Sequence, residues 1–264
     1  MSLAQLFKSI EQNEWVDIPQ GWLQGRTIYG GLAAGMMMHK ALLTINDPSK
    51  QLLNTSVTFV GPVQESKVKL TAEILRQGKS VTTIEVRIWQ DNAVQSILLA
   101  SFGTLRESTI QVSNETAAPD YPPVEQLNVL PKNAIAPQCF QQFELAWAEG
   151  NYPCTASKKP DFGGWFRFDP NLHENREMST ADFMTLFDVW PPGVLPMFKT
   201  FLPASSLTWQ VTFIGSTQYQ LHDWFKYKVV TDHAENGYST EYAHIWDSNN
   251  RLIAIYRQTV TVFA

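Results

Sequence analysis

The chain has 264 residues, about 1.8 times an average domain, so one large or two modest units are expected. It carries 20 Lys and Arg against 25 Asp and Glu, a net charge of −5, and its charged fraction of 17% lies below the roughly 25% usual in soluble proteins. With 44% hydrophobic residues and 12% aromatics it can bury a large core, which excludes a disordered tail, and its mild acidity argues against a nucleic-acid binder.

Met1–Trp15 carries Lys8, Glu11 and Glu14 and no apolar signal core. The longest uninterrupted apolar stretch, Leu32–Met38, is far shorter than the roughly 18 to 20 residues that span a bilayer. The expected address is therefore cytoplasmic, with no integral membrane segment. Gly30–Leu43 reads as a helix of small residues and Met, followed by Asp47-Pro48. Four segments rich in Val, Ile, Thr and Leu come next, at Leu53–Val60, Lys67–Arg76, Val81–Gln90 and Val94–Leu105. Turn signals such as Gln77-Gly78 and Asp91-Asn92 separate them.

Glu107–Gln138 holds Pro119, Pro122, Pro123, Pro131 and Pro137 and reads as an extended linker, because proline lacks the donor that a central strand needs. Beyond it the grammar repeats. A helix is expected over Thr180–Val189, with strands near Ser206–Ile214, Trp224–Thr231, Gly237–Trp246 and Arg251–Phe263. Two short matches support a duplication: Val57-Thr58-Phe59-Val60-Gly61 returns as Val211-Thr212-Phe213-Ile214-Gly215, and Arg87-Ile88-Trp89-Gln90-Asp91-Asn92 echoes His244-Ile245-Trp246-Asp247-Ser248-Asn249. One apolar helix followed by a run of antiparallel strands must bury the helix against the sheet. The expected class is α+β, with two tandem hotdog units, each an antiparallel sheet wrapped around a central helix. Their expected limits are 1–108 and 139–264, with the linker over 109–138. The low charge fraction also fits assembly into a homo-oligomer, a dimer or tetramer, which light scattering would test.

The helix ends hold the chemically suggestive residues. Gly30-Gly31 opens the first helix, where unpaired N–H groups and the positive end of the dipole could receive an oxyanion. The alternative is that Gly31 and Gly35 let the sheet pack closely on the helix. Met36-Met37-Met38 reads as core filler, or as a pliable wall for an acyl chain. Ser179 and Asp182 form a capping pair for the second helix. Asp188 is the acid within Phe183-Met184-Thr185-Leu186-Phe187-Asp188-Val189-Trp190, near that helix's C-terminus. Dipole and aromatic neighbours both oppose its charge there, the kind of conflict that marks functional sites. The repeat offset puts its counterpart near Ala34, so the acid occurs in one half only.

These residues resemble the acyl-CoA thioesterase II (TesB-like) family of double-hotdog enzymes. In the first half the likeness rests on Ile28-Tyr29-Gly30-Gly31-Leu32-Ala33-Ala34, Thr58-Phe59-Val60-Gly61-Pro62 and Leu75-Arg76-Gln77-Gly78-Lys79-Ser80. In the second it rests on Phe187-Asp188-Val189-Trp190-Pro191-Pro192, Ser205-Ser206-Leu207-Thr208-Trp209 and Arg257-Gln258. It is weakest in the linker and at Trp165–Met178.

The resemblance implies hydrolysis of acyl-CoA by a water held among Asp188, Ser206 and Gln258, with Ser206 standing where the family has Thr. It also implies that the substrate carbonyl rests near Gly30 and Gly31. Where the family often has Asp-His, this chain has Thr208-Trp209, which leaves Thr208 as the alternative hydroxyl; two apart on a strand, Ser206 and Thr208 are expected to share a face. The partner implied is an acyl-CoA, with no cofactor.

Other chemistries fit less well. No Gly-x-Ser-x-Gly is present, and Gly78-Lys79-Ser80 imitates a phosphate loop whose first position is Glu73. Cys139, Cys154 and the histidines His39, His173, His222, His233 and His244 lack metal-ligand spacing, so no metal is expected. Candidates for the CoA phosphates, Arg26, Arg76, Lys79 and Arg87, are scattered. A non-catalytic acyl-CoA or lipid binder on the same fold is the competing reading. Asp188 and Gln258 discriminate, since simple binding requires neither.

Overall fold

Every second residue of β6 (Val81–Gln90) is buried, and the same alternation runs along most of β12 (Tyr238–Asp247). That period of two is what a sheet with one covered face requires. The computed structural model describes residues 1–132, 136–215 and 218–263, so 133–135 of the linker lie outside the described residues. In the first half, α1 (Leu3–Gln12), β1 (Trp15–Asp17), β2 (Leu23–Gln24) and β3 (Thr27–Ile28) precede α2 (Gly30–Ile45). β4 (Gln51–Phe59), β5 (Lys67–Gln77), β6 and β7 (Ala93–Gly103) follow. In the second half, β8 (Phe143–Gly150) and β9 (Phe162–Phe168) precede α3 (Thr180–Phe187). β10 (Ala204–Phe213), β11 (Phe225–Glu235), β12 and β13 (Leu252–Val262) complete it.

Eleven strands form one sheet in the order β1-β5-β6-β7-β4-β10-β13-β12-β11-β9-β8. Read outward from the middle, the four long strands of each half follow the same order, first, fourth, third and second in sequence, with β1 at one edge and β9-β8 at the other. The halves meet where β4 pairs antiparallel with β10, Val57 opposite Trp209 and Thr55 opposite Val211. The repeated Val-Thr-Phe segment therefore lies on the two strands that form the seam. Hairpin turns carry the expected chemistry: Asp91 and Asn92 have φ of 51° and 61°, and Asn236 and Gly237 have 54° and 80°. Two successive positive φ values match the right-handed twist of a tight hairpin.

The helices lie on the inner face. Gly31 through Met38 of α2 are all buried, so this helix shows no polar stripe. It packs on β5, β6 and β7 and against α3. α3 reaches the sheet through Phe183 and Phe187, which meet Phe213 of β10, and Phe183 also meets Phe225 of β11. This is the α+β arrangement of two tandem units expected above. Both helices end within about two residues of their sequence-based limits, α3 stopping at Phe187 rather than Val189.

α1, β1, β2, β3, β8 and β9 lie outside the elements expected from the sequence. In β9 a glycine pair masks the strand. Gly164 lies against the Ala146 carbonyl and Gly163 against the Tyr227 carbonyl, too close for any Cβ. The proline-rich segment runs extended over the second half, tied there by side chains of the sheet. Trp246 Nε1 donates to the Thr116 carbonyl at 3.2 Å, Lys226 Nζ to Pro119 at 3.0 Å and Trp165 Nε1 to Pro122 at 3.0 Å. Among the described residues no helix is long and apolar enough to cross a membrane.

Candidate active site

The local sequence of α3 fixes where its acid falls. Ser179 caps the N-terminus by accepting the Asp182 N–H at 3.2 Å, while Asp182 accepts the Ser179 N–H at 2.8 Å and pairs with Arg176. Eight residues later the helix stops, and Asp188 is its C-cap with φ −86° and ψ 3°. At this end of its own helix a carboxylate is disfavoured. The N-terminus of α2 meets it there. A Cβ on Gly30 would stand 2.7 Å from Asp188 Oδ2 and 3.2 Å from the Phe59 ring.

The glycines of α2 explain the approach. A Cβ on Gly31 would lie 2.6 Å from the Thr185 carbonyl, and one on Gly35 would overlap Thr185 Oγ1 and come within 2.9 Å of the Ala181 carbonyl. Gly31 and Gly35 are thus packing residues, but the surface they admit is α3 rather than the sheet. Tyr29 completes the crossing: its hydroxyl donates to the Thr185 carbonyl at 2.8 Å, one of the carbonyls a helix end leaves without a partner.

From the sheet side, Gln258 of β13 is inward-facing and 6% exposed. Its Nε2 donates to Ser206 Oγ, and its amide also supports the Asp188 carboxylate. Thr208 is elsewhere. A β-bulge at Leu207 breaks the alternation of β10, so Ser206 pairs with Val260 and Thr208 with Thr259. Ser206 is half-buried in phase with Ala204, whereas Thr208 is exposed in phase with Gln210 and Thr212. The expectation that the two hydroxyls share a face is therefore wrong: the extra residue turns Thr208 outward. Trp209, where the family often has His, becomes a fully buried core residue set edge-on against Tyr256.

Asp188 keeps partial exposure as a residue while its carboxyl is crowded by protein. Burial pushes that carboxyl up to about 7, opposed by the Gly31 N–H and the Gln258 amide, which favour the anion. Three neighbours went unassigned in the sequence reading. Burial and the Asp188 charge raise the Tyr29 hydroxyl and the Cys139 thiol, leaving the thiol an inert neutral group. Glu241 is buried on β12 directly opposite Gln258. The period-two pattern would have found it, because Glu241 is in phase with Ala243 and Ile245. Among the described residues no three His, Cys, Asp or Glu side chains converge as a metal site would. A cavity of about 540 Å³ under the linker, lined by Thr116, Tyr219 and Arg251 among others, contains none of the site residues.

Comparison with known proteins matches residues 18–103 to the acyl-CoA thioesterase N-terminal domain and residues 115–262 to the acyl-CoA thioesterase C-terminal domain. Solved structures share the fold at low identity. A protein of unknown function with a hot dog fold from Alicyclobacillus acidocaldarius is 21% identical with a TM-score of 0.82, over 95% of this chain and 92% of that one. The acyl-CoA thioesterase II TesB2 of Mycobacterium marinum is 20% identical with a TM-score of 0.71, over 94% and 92%. A tesB protein of Mycobacterium avium subspecies paratuberculosis is 14% identical with a TM-score of 0.77, over the whole of both chains. Among curated proteins nothing matches the chain.

Proposed function

The chain belongs to the acyl-CoA thioesterase family, and from that premise we propose that it hydrolyses acyl-CoA to a free acid and CoA at the junction of α2, α3 and β13. One observation carries the reading: the Asp188 carboxyl at the C-cap of α3 lies against Gly30 at the N-terminus of α2, where burial raises it to about 7 and the Gly31 N–H and the Gln258 amide oppose that rise. A general base works best when its pKa lies near the operating pH.

In this reading the Asp188 carboxylate takes a proton from a water held by Gln258 and Ser206. The water oxygen attacks the thioester carbon, and the carbonyl oxygen becomes an oxyanion. The Gly30 and Gly31 N–H groups at the N-terminus of α2 are the donors proposed for the oxyanion. The C–S bond then breaks, the thiolate takes the proton from Asp188, and the product carboxylic acid, which carries the second proton of the water, leaves and loses that proton to solvent. Ser206 fits the hydroxyl role through its bond to Gln258 and its inward direction.

Thiol release from acyl-CoAs of increasing chain length, assayed with wild type and Asp188→Asn, tests the proposal. Turnover of at least one acyl-CoA that depends on Asp188 is expected. Tight acyl-CoA binding without turnover would overturn it in favour of a binding protein.

A further inference from the structure

Glu241 is a second carboxylic acid inside the protein, and the hydrolytic step as written does not use it. It is 1% exposed on the inner face of β12, and its register partners are Gln258 on β13 and Thr231 on β11. Its Oε2 accepts the Gly193 N–H at 2.7 Å. Gly193 closes the run Asp188-Val189-Trp190-Pro191-Pro192-Gly193, so this bond ties the segment leaving Asp188 to the sheet beside Gln258.

The tie is built from several sides. The Gly193 carbonyl accepts the Asp161 N–H at 3.0 Å, and Asp161 Oδ1 accepts the Thr231 N–H at 2.7 Å. A Cβ at Gly193 would stand 2.8 Å from Thr231 Oγ1 and 3.0 Å from Val229 Cγ2, so only glycine brings the segment this close to the sheet. An amide would accept the Gly193 N–H as well as a carboxyl does. An acid here therefore adds something that anchoring alone does not need.

What it adds is a titrating group within range of Asp188. The groups that act on Glu241 are Asp161 before β9, Asp188 after α3 and the Gly193 N–H; burial and the two carboxylates push its carboxyl up to about 8, with the N–H opposing. Tyr227 of β11 and Tyr256 of β13 face the same interior, their hydroxyls 2.6 Å apart, and burial together with Glu241 and Asp188 raises both. A charge on Glu241 would be a second negative charge in the interior that Asp188 shares, and the Asp188 charge in turn raises the Glu241 carboxyl.

We propose that Glu241 is a positioning residue, holding the Asp188 segment through Gly193 and supporting hydrolysis only while it is uncharged, so that its ionisation shuts the site at alkaline pH. This rests on Asp188 being the general base.

The test is kcat/KM from pH 5 to 10 for wild type and Glu241→Gln, corrected for spontaneous hydrolysis. The amide keeps the acceptor for Gly193, so the variant should retain the rising limb near 7 and lose the falling limb near 8. Relative to wild type its activity should grow about tenfold or more between neutral pH and pH 9.5. The same falling limb in both proteins would overturn the proposal. Carbon-13 NMR of glutamate-labelled protein gives a readout independent of turnover. The carboxyl resonance missing from Glu241→Gln should titrate at about 8 in wild type and lower in Asp188→Asn, whereas titration near its ordinary 4.5 would also overturn the proposal. Full turnover in Asp188→Asn would instead defeat the reading of Asp188 as base, with the NMR titration still deciding the charge state of Glu241.

Discussion

The two halves share a strand order and differ in their helices. α2 has 16 residues, contains no acid, and offers glycines at its N-terminus. α3 has eight residues and Asp188 as its C-cap. Each half thus supplies one end of a helix, and the ends meet: the positive end of α2 against the carboxylate that α3 could not hold alone. The sheet residues that complete the cluster, Ser206 and Gln258, come from the second half only. In the proposed reaction a fold duplicated in one chain is used once for chemistry, with the first half keeping the packing surface and the amide donors.

The asymmetry can be broken in order of expected effect. Asp188→Asn removes the proposed base, and turnover should fall about 10²–10⁴-fold with an unchanged circular dichroism spectrum, checked by thiol release. The same variant should change stability with pH. A carboxyl whose folded pKa is raised from 3.8 to about 7 binds its proton more tightly in the folded state. It costs nothing below about pH 4, costs progressively more as the pH rises, and reaches its full cost above about 7, on the order of 4 kcal/mol. Denaturant melts should show Asp188→Asn gaining on wild type across that window, and a constant difference would count against a buried, protonated Asp188.

Gly31→Ala probes the other helix. Its methyl group must push against Tyr29 and the Thr185 carbonyl, so a loss of about 1–3 kcal/mol is expected in the same melts. Ser206→Ala should lower kcat about tenfold by removing one hydrogen bond at the water. Thr208→Ala, on the outer face, should stay within about twofold of wild type. Equal losses from the two hydroxyl variants would contradict the inward–outward distinction made by the bulge.

Much of this was legible in the sequence. β6 runs over Val81–Gln90 as its alternation and the Asp91-Asn92 turn require. Asp188 stood out because an acid amid Phe183, Leu186, Phe187 and Trp190 conflicts with both burial and helix polarity. The direction of Thr208 was not legible. Strand side chains alternate until an extra residue is inserted, and nothing in Ser205-Ser206-Leu207-Thr208-Trp209 marks Leu207 as that residue. The partner of Gly31 and Gly35 was also hidden, since small residues announce a close contact without saying with what. α1 lies outside the expected elements although its signal is present in the sequence: Leu3, Leu6, Phe7 and Ile10 are its buried stripe at helical spacing, behind a Ser2–Gln5 capping box.

A buried Asp188, lifted to near neutrality between the two helices, is proposed as the base of one hydrolytic site. The most direct measurement is the rising limb of kcat/KM against pH for a turned-over acyl-CoA. Activity should rise with an apparent pKa of about 7. A limb near the ordinary carboxylate value of 3.8, or activity independent of pH between 5 and 8, would contradict it.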